Sequence, residues 1–240
     1  MGEPVPAGKS SATVTRRDGS YQKVTPDASV EAATLLWLRE HGIPAAEVLE
    51  FGPDWLLTRE VPGRTAAALW PTEERGRVVD ALADMTRRLH ALPTEDCPFD
   101  RALRVTVALA HARAAAGEVD LWDLDDERRS WGTEQLLAAL DAQVPTMQAR
   151  EVPVVTHGDW CLPNVVLDPA SIEVVGVIDT SRAGIADSYQ DLALMTRSLL
   201  STELNPQYGP AYADRFLNRY GHDPANDDKL AFYRLLDEFF

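Results

Sequence analysis

The apolar positions of the chain fall into two regimes. Up to about residue 61 they come in short runs bounded by turn formers; beyond it they recur mostly at helical spacing. Runs at 12–15 and 21–24 flank Asp18-Gly19, the dipeptide that favours a tight hairpin. Ser29 is placed as an N-cap for a helix carrying Glu31, Leu35, Leu36 and Leu38, which stops at Gly42 with Pro44 beyond. Strands are expected at 47–51 and 55–61, and Pro62-Gly63 breaks the pattern. Thr72 then opens a helix with Val78, Val79, Leu82, Met85 and Leu89 on one face. Helices follow at 103–116 and from 133 to 140, separated by a strongly acidic stretch at 121–129. A β-branched strand at 152–156 leads to a hairpin of 165–167 and 173–178 across Asp168-Pro169-Ala170-Ser171, and three helices are predicted at 187–200, 210–220 and 226–240. The chain therefore reads as α+β in two lobes: a small, strand-rich one at 1–61 and a larger, mainly helical one at 62–240. A cleft between two such lobes is a natural ligand site.

Composition narrows the function classes. With 45% apolar and 25% charged residues in 240, the chain is neither disordered nor fibrous. The net charge of −15 excludes a nucleic-acid partner, which needs a basic surface, and favours cations instead. Two cysteines, Cys97 and Cys161, build neither a disulfide framework nor a structural zinc site. No apolar run reaches the roughly 18 residues of a membrane span, and residues 1–10 carry no apolar signal segment. A cytoplasmic protein without membrane association, monomeric or weakly dimeric, is expected.

The most informative stretch is Thr156-His157-Gly158-Asp159-Trp160-Cys161-Leu162-Pro163-Asn164. It leaves a strand and enters the hairpin that ends in Val177-Ile178-Asp179, so Asp159, Asn164 and Asp179 come from neighbouring turns. Asn164 and Asp179 offer hard oxygen ligands for Mg²⁺ bound to phosphates. Asp159 is left to accept the proton of an attacking hydroxyl, the layout of phosphoryl transfer in kinases. Singly, Asp and Asn here would be ordinary turn residues; the second aspartate at the end of an apolar strand changes the balance. Upstream, the small-residue turn Gly8 to Ala12 can lay N–H groups on phosphate oxygens, and Lys23, with Glu31 to fix it, can hold the α- and β-phosphates.

From Gly8 to Phe240 the sequence resembles the aminoglycoside 3′-phosphotransferases, antibiotic-resistance enzymes with a protein-kinase-like fold. The resemblance is carried by Val155-Thr156-His157-Gly158-Asp159, Leu162-Pro163-Asn164, Ile178-Asp179 with Arg182, Ala186-Asp187, Tyr189-Gln190-Asp191 and the terminal Leu236-Asp237-Glu238-Phe239-Phe240. It implies Asp159 as catalytic base with Arg182 near the reacting groups, Asn164 and Asp179 on Mg²⁺, and ATP or GTP as donor. It further implies Lys23 and Glu31 at the nucleotide phosphates, Ser10 in the phosphate-covering loop, and Arg59 to Val61 as the hinge that meets the purine. On the acceptor side it implies Asp125, Arg197, Asp237, Glu238 and the carboxylate of Phe240. Carboxylates suit a polycation, since they hold ammonium groups through charge-assisted hydrogen bonds.

Three departures from the family pattern set further expectations. Only seven residues precede Gly8, which implies a trimmed sheet in the small lobe. Ser181 stands where the family carries glycine, a change that strains the backbone if the position requires positive φ. Ser201 replaces an acid, with Glu203 near. The alternatives to an aminoglycoside kinase are a kinase of another hydroxyl-bearing antibiotic, of nucleoside or cyclic-peptide type, and a catalytically silent nucleotide-binding protein of the same fold.

Overall fold

The computed structural model of the chain describes residues 3–5 and 12–240. Its first part is a five-stranded antiparallel sheet of β1 (Glu3–Val5), β2 (Thr13–Arg17), β3 (Ser20–Val24), β4 (Val48–Phe51) and β5 (Trp55–Arg59), ordered β1-β2-β3-β5-β4. The β2–β3 hairpin turns at Asp18 (φ 48°) and Gly19 (φ 72°), both left-handed as the turn requires. Its register sets Lys23 opposite Val14 on one side and Leu56 on the other. Helix α1 (Ala28–Glu40) crosses the sheet and buries Leu35 and Leu38. Asp27, not Ser29, occupies its N-cap position; Ser29 lies inside the first turn and donates to the Gly52 carbonyl at 3.3 Å. The inward face of α1 also carries Glu31, which is 4% exposed.

The second part begins with a two-residue strand, β6 (Arg64–Thr65), that sequence periodicity did not reveal. It joins β8 (Val165–Leu167) and β9 (Val174–Val177) in a three-stranded sheet ordered β6-β8-β9. The hairpin at Asp168 is as expected: its carboxylate accepts from the N–H groups of Ala170 and Ser171, both at 2.8 Å. A separate antiparallel pair joins β7 (Pro153–Thr156) to β10 (Gly184–Asp187), a strand also missed in the sequence. Around these lie α2 (Thr72–His90), α3 (Leu103–Ala116), α4 (Thr133–Ala149), α5 (Ser188–Leu200), α6 (Pro210–Tyr220) and α7 (Asp227–Asp237). Helix α4 runs nine residues beyond its expected end, through Pro145, and α7 ends at Asp237 so that residues 238–240 form a turn.

Helix α5 is buried on nearly every face, as an apolar central helix must be. It is started by Asp187, whose carboxylate accepts the Tyr189 N–H at 2.8 Å and pairs with the buried Lys229 ammonium at 2.6 Å. The two parts are tied where the small sheet meets β9. Val177 exchanges hydrogen bonds with Pro44 and Ala46, at 2.7 and 3.0 Å. The hydroxyls of Thr34 on α1 and Thr180 meet at 2.7 Å with both side chains fully buried. This junction fixes α1 against the segment that carries Asp179.

Candidate active site

The site gathers Lys23 of β3 with the turns that follow β7 and β9. At the end of β7 the chain turns through His157 and Gly158 (φ 81°). The fully buried Asp191 on α5 sets this turn: its carboxylate accepts the His157 N–H at 2.8 Å and the Gly158 N–H at 2.9 Å. His90 of α2 backs the same carboxylate, Nε2 to oxygen 3.1 Å. The His157 ring reaches the Ile178 carbonyl at 3.0 Å, tying the turn to the strand before Asp179. Gly158 admits no side chain, because a Cβ would lie 2.1 Å from the Arg182 carbonyl oxygen. Trp160, wholly buried, donates from its indole N–H to the Thr86 hydroxyl at 2.7 Å and pins the loop to α2.

The loop then presents Asp159. The Asn164 amide donates from Nδ2 to the Asp159 carbonyl and to its Oδ2, each at 2.9 Å. The Cys161 thiol donates to the other carboxylate oxygen at 3.7 Å. Burial pushes the Cys161 thiol well above its ordinary pKa, and the charge of Asp159 adds to the shift. Because Nδ2 is committed to Asp159, the Asn164 amide oxygen is the atom left for another partner.

Asn164 and Ile178 face each other across β8 and β9, the Ile178 N–H donating to the Asn164 carbonyl at 3.1 Å, so Asp179 follows directly. Asp179 adopts φ 62°, the left-handed region that only a few non-glycine residues occupy here. Ser181 is not among them, so the substitution for glycine carries no backbone strain; its carbonyl accepts from Arg101 at 2.6 Å. Asp179 Oδ1 lies 2.5 Å from the Lys23 ammonium, which also lies 2.8 Å from Glu31 Oε2. Burial pulls the Lys23 ammonium down, but Glu31 and Asp179 together hold it above its ordinary pKa. Burial pushes the Glu31 carboxyl up against the opposing pull of Lys23.

Among the described residues no three His, Cys, Asp or Glu side chains gather into a metal cage. One carboxylate, Asp179, beside one amide oxygen, Asn164, is instead the sparse oxygen set that suits Mg²⁺ shared with substrate phosphates. The two residues fit that ion.

Beyond Asp159 lies a relay of alternating charges. Arg182 donates to Asp237 Oδ1 at 2.6 Å, Arg197 donates to Asp237 Oδ2 at 2.7 Å, and Arg197 also donates to Asp125 at 2.6 Å. Burial pulls Arg182 down, while the charges of Asp237 and Asp159 raise it. Asp125 meets Arg128 at 2.9 Å, and Arg128 donates to Glu238 at 2.7 Å. The Glu238 side chain is 1% exposed, and its carboxylate also accepts the Asp125 N–H at 3.1 Å. It thus faces the protein rather than the cleft. Phe240 is exposed, its ring 5.0 Å from the Arg182 guanidinium carbon.

The remaining expectations land as follows. Ser10 and most of the Gly8 turn lie outside the described residues. Arg59 closes β5 with its side chain turned to Glu47, at 2.6 Å. Val61 packs on Gly176, where a Cβ would come within 2.4 Å of it. Ser201 ends α5, and its hydroxyl accepts the Leu204 N–H at 3.1 Å. Sequence reading assigned no role to Asp191 or Arg128. Asp191 stood among the quoted motif residues, and Arg128 was one of two arginines inside an acidic stretch; a buried partner for each is visible only in three dimensions.

Residues 7–233 match the phosphotransferase enzyme family. An aminoglycoside 3′-phosphotransferase of Streptomyces fradiae is 50% identical over 232 residues, covering 92% of this chain and 85% of the relative. The crystal structure of an aminoglycoside-3′-phosphotransferase of type VIII superposes with a TM-score of 0.89 at 45% identity, over 100% of this chain and 94% of that one. The aminoglycoside phosphotransferase APH(3″)-Id of Streptomyces rimosus, in complex with ADP and streptomycin, superposes with a TM-score of 0.86 at 34% identity, over 99% and 92%.

Proposed function

The chain belongs to the phosphotransferase enzyme family and, within it, to the aminoglycoside 3′-phosphotransferases; from that premise we propose that it transfers the γ-phosphoryl group of ATP or GTP to the 3′-hydroxyl of an aminoglycoside and so confers resistance. The observation that carries this reading is the junction at Arg182: its side chain donates to Asp237 at 2.6 Å while its backbone packs against Gly158, the residue before Asp159, so the kinase-type carboxylate adjoins a carboxylate relay suited to ammonium groups.

In this mechanism Asp159 orients the acceptor hydroxyl and takes its proton as the acceptor oxygen bonds to the γ-phosphorus. The bond from γ-phosphorus to the bridging oxygen breaks, and the nucleoside diphosphate departs. Asn164 holds the Asp159 carboxylate in one orientation, which removes a rotamer search from the reactive step. Arg182 would offset the negative charge at Asp159 beside the reacting groups. Lys23, released from Asp179 to the α- and β-phosphates while Glu31 keeps it in place, positions the donor. Asn164 Oδ1 and the Asp179 carboxylate would hold Mg²⁺, which neutralises phosphate charge when bound. Ser10 would cover the phosphates, and the segment of Arg59 to Val61 would meet the purine.

On the acceptor side Asp125 and Asp237 exchange their arginine partners for substrate ammonium groups, with Arg197 placed between them. Phe240, exposed beside Arg182, is a further acceptor-side residue, and Glu238 supports Asp125 from behind. The division at residue 61 separates a nucleotide-binding lobe, 1–61, from a catalytic and acceptor-binding lobe, 62–240. No helix among the described residues is long and apolar enough to cross a membrane.

The test is a coupled assay for ADP and GDP release with kanamycin, neamine, lividomycin and streptomycin. Turnover of kanamycin and neamine, absent with lividomycin, which lacks the 3′-hydroxyl, supports the reading. Equal turnover of lividomycin moves the site to another hydroxyl, and turnover of streptomycin alone moves the assignment to a 3″ acceptor.

A further inference from the structure

Trp122 is 99% exposed, the largest apolar side chain on the described surface that packs against nothing. Tryptophan is enriched at binding surfaces, where its large apolar face meets a partner. Its position is not that of a loose tip. The segment that carries it is stapled at both ends to residues 238–239. On one side Arg113 donates to the Glu118 carbonyl at 3.2 Å and to the Phe239 carbonyl at 2.5 Å. On the other the Asp125 N–H bonds Glu238, and the neighbouring Leu124 is buried in the core. Between these anchors the Asp120 carboxylate accepts the Trp122 N–H at 2.9 Å and sets a local turn. Trp122 is three residues from Asp125, hence within about 10 Å of it. It therefore stands at the rim of the relay Asp125–Arg197–Asp237–Arg182.

The surroundings state the ligand class. Glu118, Asp126 and Glu127 on the same segment are exposed carboxylates paired with Arg113, Arg129 and Arg128, but residues 118–127 hold six acids and no base, and a bare indole face in that acidic setting attracts an organic cation. Resting on the acceptor class given above, we infer that Trp122 is a specificity-determining residue, which stacks on an ammonium-bearing ring of the aminoglycoside lying distal to the phosphorylated one. Asp125 and Asp237 then hold the near ammonium groups and the indole holds the far ring. Aminoglycosides with such a distal ring gain from it, and two-ring fragments gain less.

The experiment compares the wild type with Trp122→Ala and Trp122→Phe, using kanamycin and neamine as acceptors. Trp122→Ala is expected to raise KM for kanamycin by about 5–20-fold, with kcat and the nucleotide KM within twofold, and to affect neamine less. Trp122→Phe retains most of the affinity. Calorimetric titration of kanamycin without nucleotide shows the same loss, and the indole fluorescence change on kanamycin binding, present in wild type, disappears in Trp122→Ala. Unchanged KM and fluorescence in Trp122→Ala, with the wild type turning kanamycin over, overturn the stacking role and leave the kinase assignment standing. A wild type that neither binds nor phosphorylates any aminoglycoside overturns both. A wild-type dimer that Trp122→Ala converts to monomer, with KM unchanged, assigns the indole to a contact between copies and also overturns the inference.

Discussion

The side-chain amide of Asn164 grips Asp159 twice from one nitrogen, at 2.9 Å to the carbonyl and 2.9 Å to Oδ2. The two residues are therefore one unit: the amide that would give its oxygen to Mg²⁺ also fixes the carboxylate that would take the proton. Asp159→Ala is expected to lower kcat by about 10²–10⁴-fold with nucleotide affinity nearly unchanged. Asn164→Ala should lower kcat and also weaken Mg²⁺-nucleotide binding. Steady-state kinetics with calorimetry separates the two patterns; identical signatures would argue against the shared arrangement.

Lys23 neutralises two carboxylates, one of them buried. Removing it in Lys23→Ala leaves Glu31 without its cation, and a broken buried pair costs about 3 kcal/mol. The pH dependence has a definite sign. Burial already raises the Glu31 carboxyl above its unfolded pKa, and loss of Lys23 raises it further. The folded state then favours the protonated carboxyl, a contribution present at low pH and lost as pH rises through the folded pKa. The melting deficit of Lys23→Ala against wild type should be larger at pH 8 than at pH 5.5, and Glu31→Gln in the same background should erase the difference. A deficit independent of pH would contradict this account.

Gly158 and Gly117 have similar backbone angles, φ 81° and 72°, but different surroundings. A Cβ at Gly117, the C-terminal cap of α3, meets nothing within 4 Å, so Gly117→Ala should cost about 1 kcal/mol and leave kcat intact. A Cβ at Gly158 strikes the Arg182 backbone at 2.1 Å. Gly158→Ala must displace either the Asp159 turn or the Arg182 segment, and turnover should fall by at least about 100-fold through lost positioning. Thermal melts beside kinetics make the comparison; equal behaviour of the two variants would defeat it.

Cys161 is half-buried beside a carboxylate, and its thiol is pushed well above the ordinary range. Only the thiolate is nucleophilic, so at pH 7.5 the native residue should be alkylated by iodoacetamide at least about tenfold more slowly than in the urea-unfolded chain. Peptide mass spectrometry reads the rates, and comparable rates would refute the thiol–carboxylate contact.

The core of the site was legible in the sequence because it is local. His157, Asp159 and Asn164 lie within eight residues, and Asp179 follows an apolar strand whose partner is the next hairpin arm. The Asp18-Gly19 hairpin was legible for the same reason: turn chemistry and flanking runs are adjacent. What escaped depends on distant partners. β6 and β10 are short and become strands only by pairing with β8 and β7, about 100 and 30 residues away. The role of Asp191 is set by backbone N–H groups 33 and 34 residues earlier. Glu238 read as an acceptor ligand from its motif, and only its burial against Arg128 and the Asp125 N–H shows which way it faces.

The C-terminal turn has a consequence for how the protein is made. Asp237, Glu238 and Phe239 supply or support most anchors of the proposed acceptor side: Arg182 and Arg197 on Asp237, Arg128 and the Asp125 N–H on Glu238, and Arg113 on the Phe239 carbonyl. During synthesis, at roughly 5–20 residues per second, residues Lys23, Asp159, Asn164 and Asp179 emerge well before them. A nascent or prematurely stopped chain would thus carry the residues for the donor while its acceptor side remained unassembled. Translation itself orders the two sides of the site, and in the proposed mechanism residues 237–239 decide whether the phosphoryl group meets an antibiotic or only water.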